Sequence, residues 1–200
     1  MAPVGAMRAP DLASTYEEFA AEHRNNAAAP FAPRFWARAV DAFAIFVASV
    51  VGTGIAFTFA GLPPKGDHRA LFQCVGWSST IVAAAVSEAI AGITPGKEVL
   101  GLRVIRNDFD PPRFTQAFQR QLALFVDTML FGLVAYLTMR GNPYEQRLGD
   151  RWARTYVVRK AALPLDYQRP VSVGFAFGAY VATAVATTAV GNALVVMALG

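Results

Sequence analysis

The sequence predicts an all-α membrane protein of three to four hydrophobic helices, with a small two-stranded β element on one side of the bilayer. Three observations predict it. First, 54% of the 200 residues are hydrophobic and only 16% are charged, where soluble domains carry about 25% charged residues. Second, uncharged runs fall at 42–64 (23 residues), 70–87 (18) and 170–200 (31), and a hydrocarbon core takes about 20 apolar residues of helix. A fourth apolar stretch, 121–139, is interrupted by one charge, Asp127. Third, 98–106 alternates Val99, Gly101, Arg103 and Ile105 against Leu100, Leu102, Val104 and Arg106, and 154–159 is rich in β-formers, so both read as short strands.

Composition also excludes several classes. One cysteine, Cys74, allows no internal disulfide, and with two histidines it leaves no cysteine/histidine zinc site. The net charge of +4 comes from basic residues lying between apolar spans, which points to membrane topology and not to nucleic acid. The stretch from Gly92 to Lys97 lacks phosphate-loop spacing, and Glu98 stands where a magnesium-binding hydroxyl belongs. Trp77-Ser78-Ser79 has no nucleophile elbow, and His23 and His68 lie in polar regions with nothing to form a dyad. No enzyme activity, cofactor or metal is expected.

The N-terminal 1–33 reads as a polar, Ala/Pro-rich tail. It has no apolar signal core, and Asp11, Glu17, Glu18 and Glu22 argue against a presequence. Ser14-Thr15-Tyr16-Glu17-Glu18 predicts a short capped helix in a solvated tail, with partner docking as the alternative. Residues 34–160 form the membrane domain. Its first span runs from near Phe35 to about Leu62, where Pro63-Pro64-Lys65-Gly66-Asp67 turns the chain. The second runs from Ala70 to about Ile93 and stops at Thr94-Pro95-Gly96-Lys97. Residues 161–200 supply a linker and an additional C-terminal span over 171–199.

Lysine and arginine counting bears on the third apolar stretch. Four basic residues precede the first span, two lie in the first loop, five in the second and seven in the third. If 121–139 crosses, the two sides hold nine each; if it dips in and returns, bending at Gly132, they hold 16 and 2. The positive-inside rule favours the second arrangement. Pairing of the two short strands favours it as well.

Three ionisable residues fall within apolar spans, where each costs a few kcal/mol unless paired or solvated. Asp41 follows Arg38 by three residues and Arg34 by seven, one helical face, which predicts a helix-end ion pair. The third segment repeats this spacing: the octapeptides ending at Asp41 and at Asp127 share Arg, Ala, Val and Asp, with Arg120 in the place of Arg34. Glu88 has no cation within a turn of its own helix, so it reaches the headgroups or meets Arg34, Arg38 or Arg120 from another segment.

The chain resembles the RDD family of membrane proteins, named for one arginine and two aspartates. The resemblance rests on Arg34-Phe-Trp-Ala-Arg-Ala-Val-Asp41, on Thr94-Pro-Gly-Lys97-Glu-Val-Leu-Gly-Leu-Arg-Val104, and on Gln146-Arg147-Leu-Gly-Asp150-Arg151 with Thr155-Tyr-Val-Val158. It implies that Arg34 and Asp41 are the family's first arginine and aspartate and Asp150 its second aspartate. It also brings a cation/proton antiport activity proposed for some members. The long C-terminal span and the acidic tail depart from the family pattern.

In that last span Gly174, Gly178, Ala182 and Ala186 recur every four residues, a small-residue stripe on which another helix can pack. The partner is either the chain's own first or second span or another protein. Thr183, Thr187, Thr188 and Asn192 could add interhelical hydrogen bonds. Two functions are consistent with the sequence. One is a non-enzymatic scaffold or accessory subunit of a larger membrane assembly, with Asp150 fixing the basic-side loop through Arg147, Arg151 or Arg154. The other is a cation/proton antiporter using Asp41, Asp127 and Glu88. Expected partners are the bilayer, including anionic lipid at Arg103, Arg106 and Arg113, and other membrane subunits or a second copy. A bacterial or mitochondrial inner membrane would suit either.

Overall fold

Long apolar runs, with their few charges kept near the helix ends, build the three long helices. Residues 28–61, 66–128, 132–163 and 173–199, with Tyr16, Glu18 and Ala20, are described by a computed structural model. Helix α1 spans Phe31–Ala60, with Pro33 tolerated in its first turn, where the missing N–H has no intrahelical partner. Helix α2 spans Arg69–Ala91 and ends on Gly92 in the left-handed conformation, whose N–H bonds the Glu88 carbonyl at 2.7 Å. Helix α7 spans Val173–Leu199. All three are long and apolar enough to cross a bilayer. They start and stop within four residues of the boundaries read from sequence.

Helix α7 holds the other two together. α1 and α2 each pack along it and scarcely touch one another. Its inward face is Tyr180, Ala184, Thr188, Asn192 and Val196, again every four residues. Gly52 of α1 lets α7 approach, since a Cβ there would lie 2.8 Å from the Thr188 Cβ. Thr188 Oγ1 donates to Ser79 Oγ of α2 at 3.0 Å, and Asn192 Nδ2 donates to Thr53 Oγ1 of α1 at 2.8 Å. Thr187 instead bonds back to the Thr183 carbonyl of its own helix. The Gly174, Gly178, Ala182 and Ala186 stripe is therefore not the internal contact: it faces outward, rotated from the buried row. The larger Tyr180 seals α7 against α1, with its hydroxyl donating to the Asp41 backbone carbonyl at 3.3 Å.

Between α2 and α7 the described residues form short elements beside the sheet. A short helix α3 (Pro95–Val99), capped by Thr94, leads to strand β1 (Leu102–Ile105). Helices α4 (Phe114–Thr128), α5 (Leu133–Arg140) and α6 (Leu148–Trp152) follow, then strand β2 (Tyr156–Arg159) and a 3-10 turn at Lys160–Ala162. The strands pair antiparallel, Leu102 opposite Arg159 and Ile105 opposite Tyr156. That pairing brings both ends of the 106–155 connection to one place, and neither α4, of 15 residues, nor α5, of 8, is among the described helices long and apolar enough to cross a bilayer. Gly132, at φ +85°, caps the N-terminus of α5 where the sequence predicts the bend. Three crossings then put 16 of the 18 basic residues on the sheet side.

Helix α4 is amphipathic in the inverted sense. Arg120, Gln121 and Asp127 are buried, while Phe114, Leu122 and Val126 are exposed. This suits a helix whose outward face meets lipid and whose polar face meets protein. The expected capped helix in the tail lies outside the described residues except at Tyr16, Glu18 and Ala20. Tyr16 corrects the reading of a wholly solvated tail: it is buried against the sheet, 4.4 Å between ring centroids from Tyr156, in a cluster with Ile105, Phe109, Val158 and Leu163. Its N–H donates to the Asn107 carbonyl at 2.7 Å, and Ala28 bridges to Val158.

Candidate functional site

The charged residues converge between the sheet and the inner ends of α1 and α2. Asp150, the third residue of α6, is the first hub. Its Oδ2 pairs with Arg34 Nη1 at 2.8 Å and caps its own helix by accepting from the Arg147 N–H at 3.1 Å. Its Oδ1 pairs with Arg120 Nη1 at 2.9 Å and faces Arg147 Nη2 at 3.7 Å. Arg34 donates two further N–H groups to the Ala29 and Val157 carbonyls, at 2.7 and 3.2 Å, joining α1 to β2 and to the chain before it. Only the planar guanidinium fork reaches three acceptors at fixed angles, which lysine could not reproduce.

Glu88, in the last turn of α2, is the second hub. It accepts from Lys97 Nζ of α3, from Arg120 Nε at 3.1 Å and from Gln121 Nε2 at 2.9 Å. Arg120 thus bridges the two hubs, and its Nη1 also donates to Thr155 Oγ1 at 2.6 Å. One connected network ties α1, α2, α3, α4 and α6. Burial opposes ionisation of Asp150, but the guanidinium groups of Arg120, Arg147 and Arg34 outweigh it and hold the carboxyl well below its usual range. Burial lowers the Lys97 ammonium, an effect that Glu88 only partly offsets.

Asp41 stands apart from these pairs. Its Oδ2 accepts from Thr94 Oγ1 at 2.7 Å and its Oδ1 from the Gly96 N–H at 2.8 Å. Gly96 can only be glycine, since a Cβ would collide with the Ala37 backbone carbonyl of α1. Asp41 therefore clamps the α2–α3 turn onto the first span. This corrects the expected Arg34–Asp41 ion pair: Arg34 turns to Asp150, and Arg38 closes no hydrogen bond or ion pair among the described residues. Same-face spacing made the pair possible, but partners from other segments compete with better geometry.

The repeated spacing in α4 fails for the same reason. Arg120 goes to the hubs, and Asp127 faces Arg147 Nε at 4.0 Å instead. Burial raises the Asp127 carboxyl, opposed by Arg147 and by the N–H groups of Gly149 and Leu148. Arg147 does meet Asp150 as expected, whereas Arg151 and Arg154 do not. Arg103 is buried and Arg106 is taken by Asp108 and Asp110, so of the three arginines read as lipid contacts Arg113 alone is exposed without an acidic partner among the described residues. Thr94 and Thr155 have no site role in the sequence reading beyond standing first in two resemblance motifs, and Gln121 has none, yet all three side chains bond into the network. Thr94 also stands in cap position before Pro95, and Gln121 adjoins Arg120.

These residues form one site: an arginine on the first span, two buried aspartates from distant segments, and the Thr94–Lys97 turn between them. The RDD family model matches residues 28–154 of the chain, from the bridge residue Ala28 to the end of α6 and its turn. The chain belongs to the RDD family. No curated protein and no solved structure matches it. In RDD terms, the three residues to which the resemblance points divide the work: Arg34 and Asp150 pair directly, and Asp41 pins the turn that presents Lys97 to Glu88. Helix α7 lies outside the matched region yet supplies most of the packing for α1 and α2. Among the described residues, no group of three or more His, Cys, Asp or Glu is placed to hold a metal.

Proposed function

We propose that this RDD protein is a non-enzymatic scaffold or accessory subunit of a larger membrane assembly. The observation that carries the reading is the outward-facing stripe Gly174, Gly178, Ala182 and Ala186 on a helix whose opposite face is fully used inside the chain. Small residues let a partner helix approach closely, and in lipid that packing drives helix association. The buried network supports the same reading. Glu88 and Asp150 hold resident cations and Asp41 holds two donors, so these groups fix five helices relative to one another. For cation/proton exchange a carboxylate must release its resident cation at each cycle, which the bridged arrangement opposes.

A Cβ at Gly178 meets nothing within 4 Å, so Gly178→Leu should leave the fold intact while blocking close approach of a partner. The measurement is native mass and subunit content after mild detergent extraction. The wild type is expected in a larger complex with stoichiometric partners, and Gly178→Leu as a free, folded chain. A wild type that runs alone, or a variant that keeps every partner, refutes the proposal.

A further inference from the structure

Helices α1 and α2 splay apart on the side away from α7, where an apolar groove of about 480 Å³ opens between them and α4. That volume lies in the range of small-molecule sites, about 300–1,000 Å³. Its walls include Ala42, Ile45, Phe46, Trp77, Ile81 and Leu124, and one end is closed by Arg38. The charge at that end is unbalanced. A water-sized cavity of about 30 Å³ adjoins the groove, sharing Arg38, Gln121 and Leu124 with it. Arg34, Arg38, Lys97 and Arg147 line that cavity against Asp41 and Glu88, and counting Arg120, Asp127 and Asp150, which pair with these groups, the cluster holds five cations to four carboxylates. Four of the five cations reach a carboxylate within 4.0 Å, and Arg38 does not.

Position matches charge. Trp36, 61% exposed, marks the headgroup level on the sheet side, and Arg38 lies two residues deeper, about 3 Å along the helix. From Arg38 to Ser49 the groove follows α1 for eleven residues, about 16 Å, roughly half of a ~30 Å hydrocarbon core. We propose that the groove binds one anionic phospholipid of the sheet-side leaflet, its phosphate on the Arg38 guanidinium and an acyl chain between α1 and α2. A second groove, of about 510 Å³ between α1, α3 and α7, supplies the contrast. Its one charged wall residue, Glu98, is paired with Lys160, so it offers no cation to a headgroup. This inference does not depend on the scaffold reading, because it concerns a different face of the bundle.

The test uses the full chain in nanodiscs of mixed phosphatidylglycerol and phosphatidylcholine, with retained lipid counted by native mass spectrometry. One phosphatidylglycerol per chain should persist on the wild type. Arg38→Gln should lower that fraction roughly tenfold, as expected for loss of a charge-assisted contact. Gly76→Phe should do likewise with Arg38 intact, because a Cβ at Gly76 meets nothing within 4 Å and a large side chain there fills the groove. Arg113→Gln, at an exposed arginine away from the groove, should retain the lipid as the wild type does. Equal retention of the two lipids, retention unchanged in both groove variants, or displacement by millimolar inorganic phosphate overturns the proposal.

Discussion

At the residue scale, Asp150 carries the most. Three guanidinium groups from α1, α4 and the start of α6 converge on one buried carboxylate. Removing one partner of such a set leaves uncompensated buried charge, which costs about 3–5 kcal/mol. Asp150→Asn is therefore expected to lower the thermal unfolding midpoint sharply in detergent, more than Asp127→Asn, whose nearest cation is 4.0 Å away. The pH dependence has a defined sign. The folded carboxyl lies below its unfolded value of about 3.9, so its contribution is present above pH ~4 and is lost as pH falls through the folded value. The wild type should lose stability below pH ~4 on this account, and Asp150→Asn should show that acid limb diminished. An unchanged limb would assign the acid sensitivity to other carboxylates. The presence of these charges was legible in the sequence, because apolar surroundings make any carboxylate conspicuous. Their pairing was not: Arg34 is seven residues from Asp41 but 116 from Asp150, and only the folded chain ranks those alternatives.

At the element scale, uncharged length and period dictated most of what formed. The three spans, the two strands and the bend at Gly132 follow from local sequence alone. Which face of α7 turns inward did not. Gly174 to Ala186 and Tyr180 to Val196 have the same four-residue spacing, and small size favoured the first. The choice went to the second because Thr188 and Asn192 find Ser79 and Thr53, and because α1 itself supplies the glycine at the crossing. Close approach matters again at the α2–α3 turn. Gly96→Ala drives a methyl into the Ala37 carbonyl and displaces the N–H that Asp41 accepts, so it should abolish accumulation of folded protein. Gly54→Ala, whose Cβ would meet nothing within 4 Å, should be neutral or slightly stabilising, since alanine is the better helix former by about 1 kcal/mol. Equal yields of the two variants would show that the turn adapts and that the Asp41 clamp is dispensable.

At the scale of the whole molecule, the fold is an asymmetric wedge of charge on a three-helix membrane anchor. The described residues between α2 and α7 gather beneath the ends of α1 and α2, and the inverted amphipathicity of α4 gives that layer an apolar outer face over an enclosed ionic core. Sidedness follows from this arrangement and can be read directly. In a Cys74→Ser background, Asp108→Cys reports the β1–α4 turn, Gly141→Cys the end of α5, and Asp67→Cys the loop between α1 and α2. With three crossings, an impermeant thiol reagent should label the first two from the same side and Asp67→Cys only from the other. By the positive-inside rule the first two are expected to label from the inner side of the membrane, since three crossings place 16 of 18 basic residues there. Were α4 and α5 instead to cross together, Gly141→Cys would label with Asp67→Cys. The antiparallel pairing of β1 with β2 would then require a strand to pass the bilayer, which the absence of backbone partners in lipid forbids.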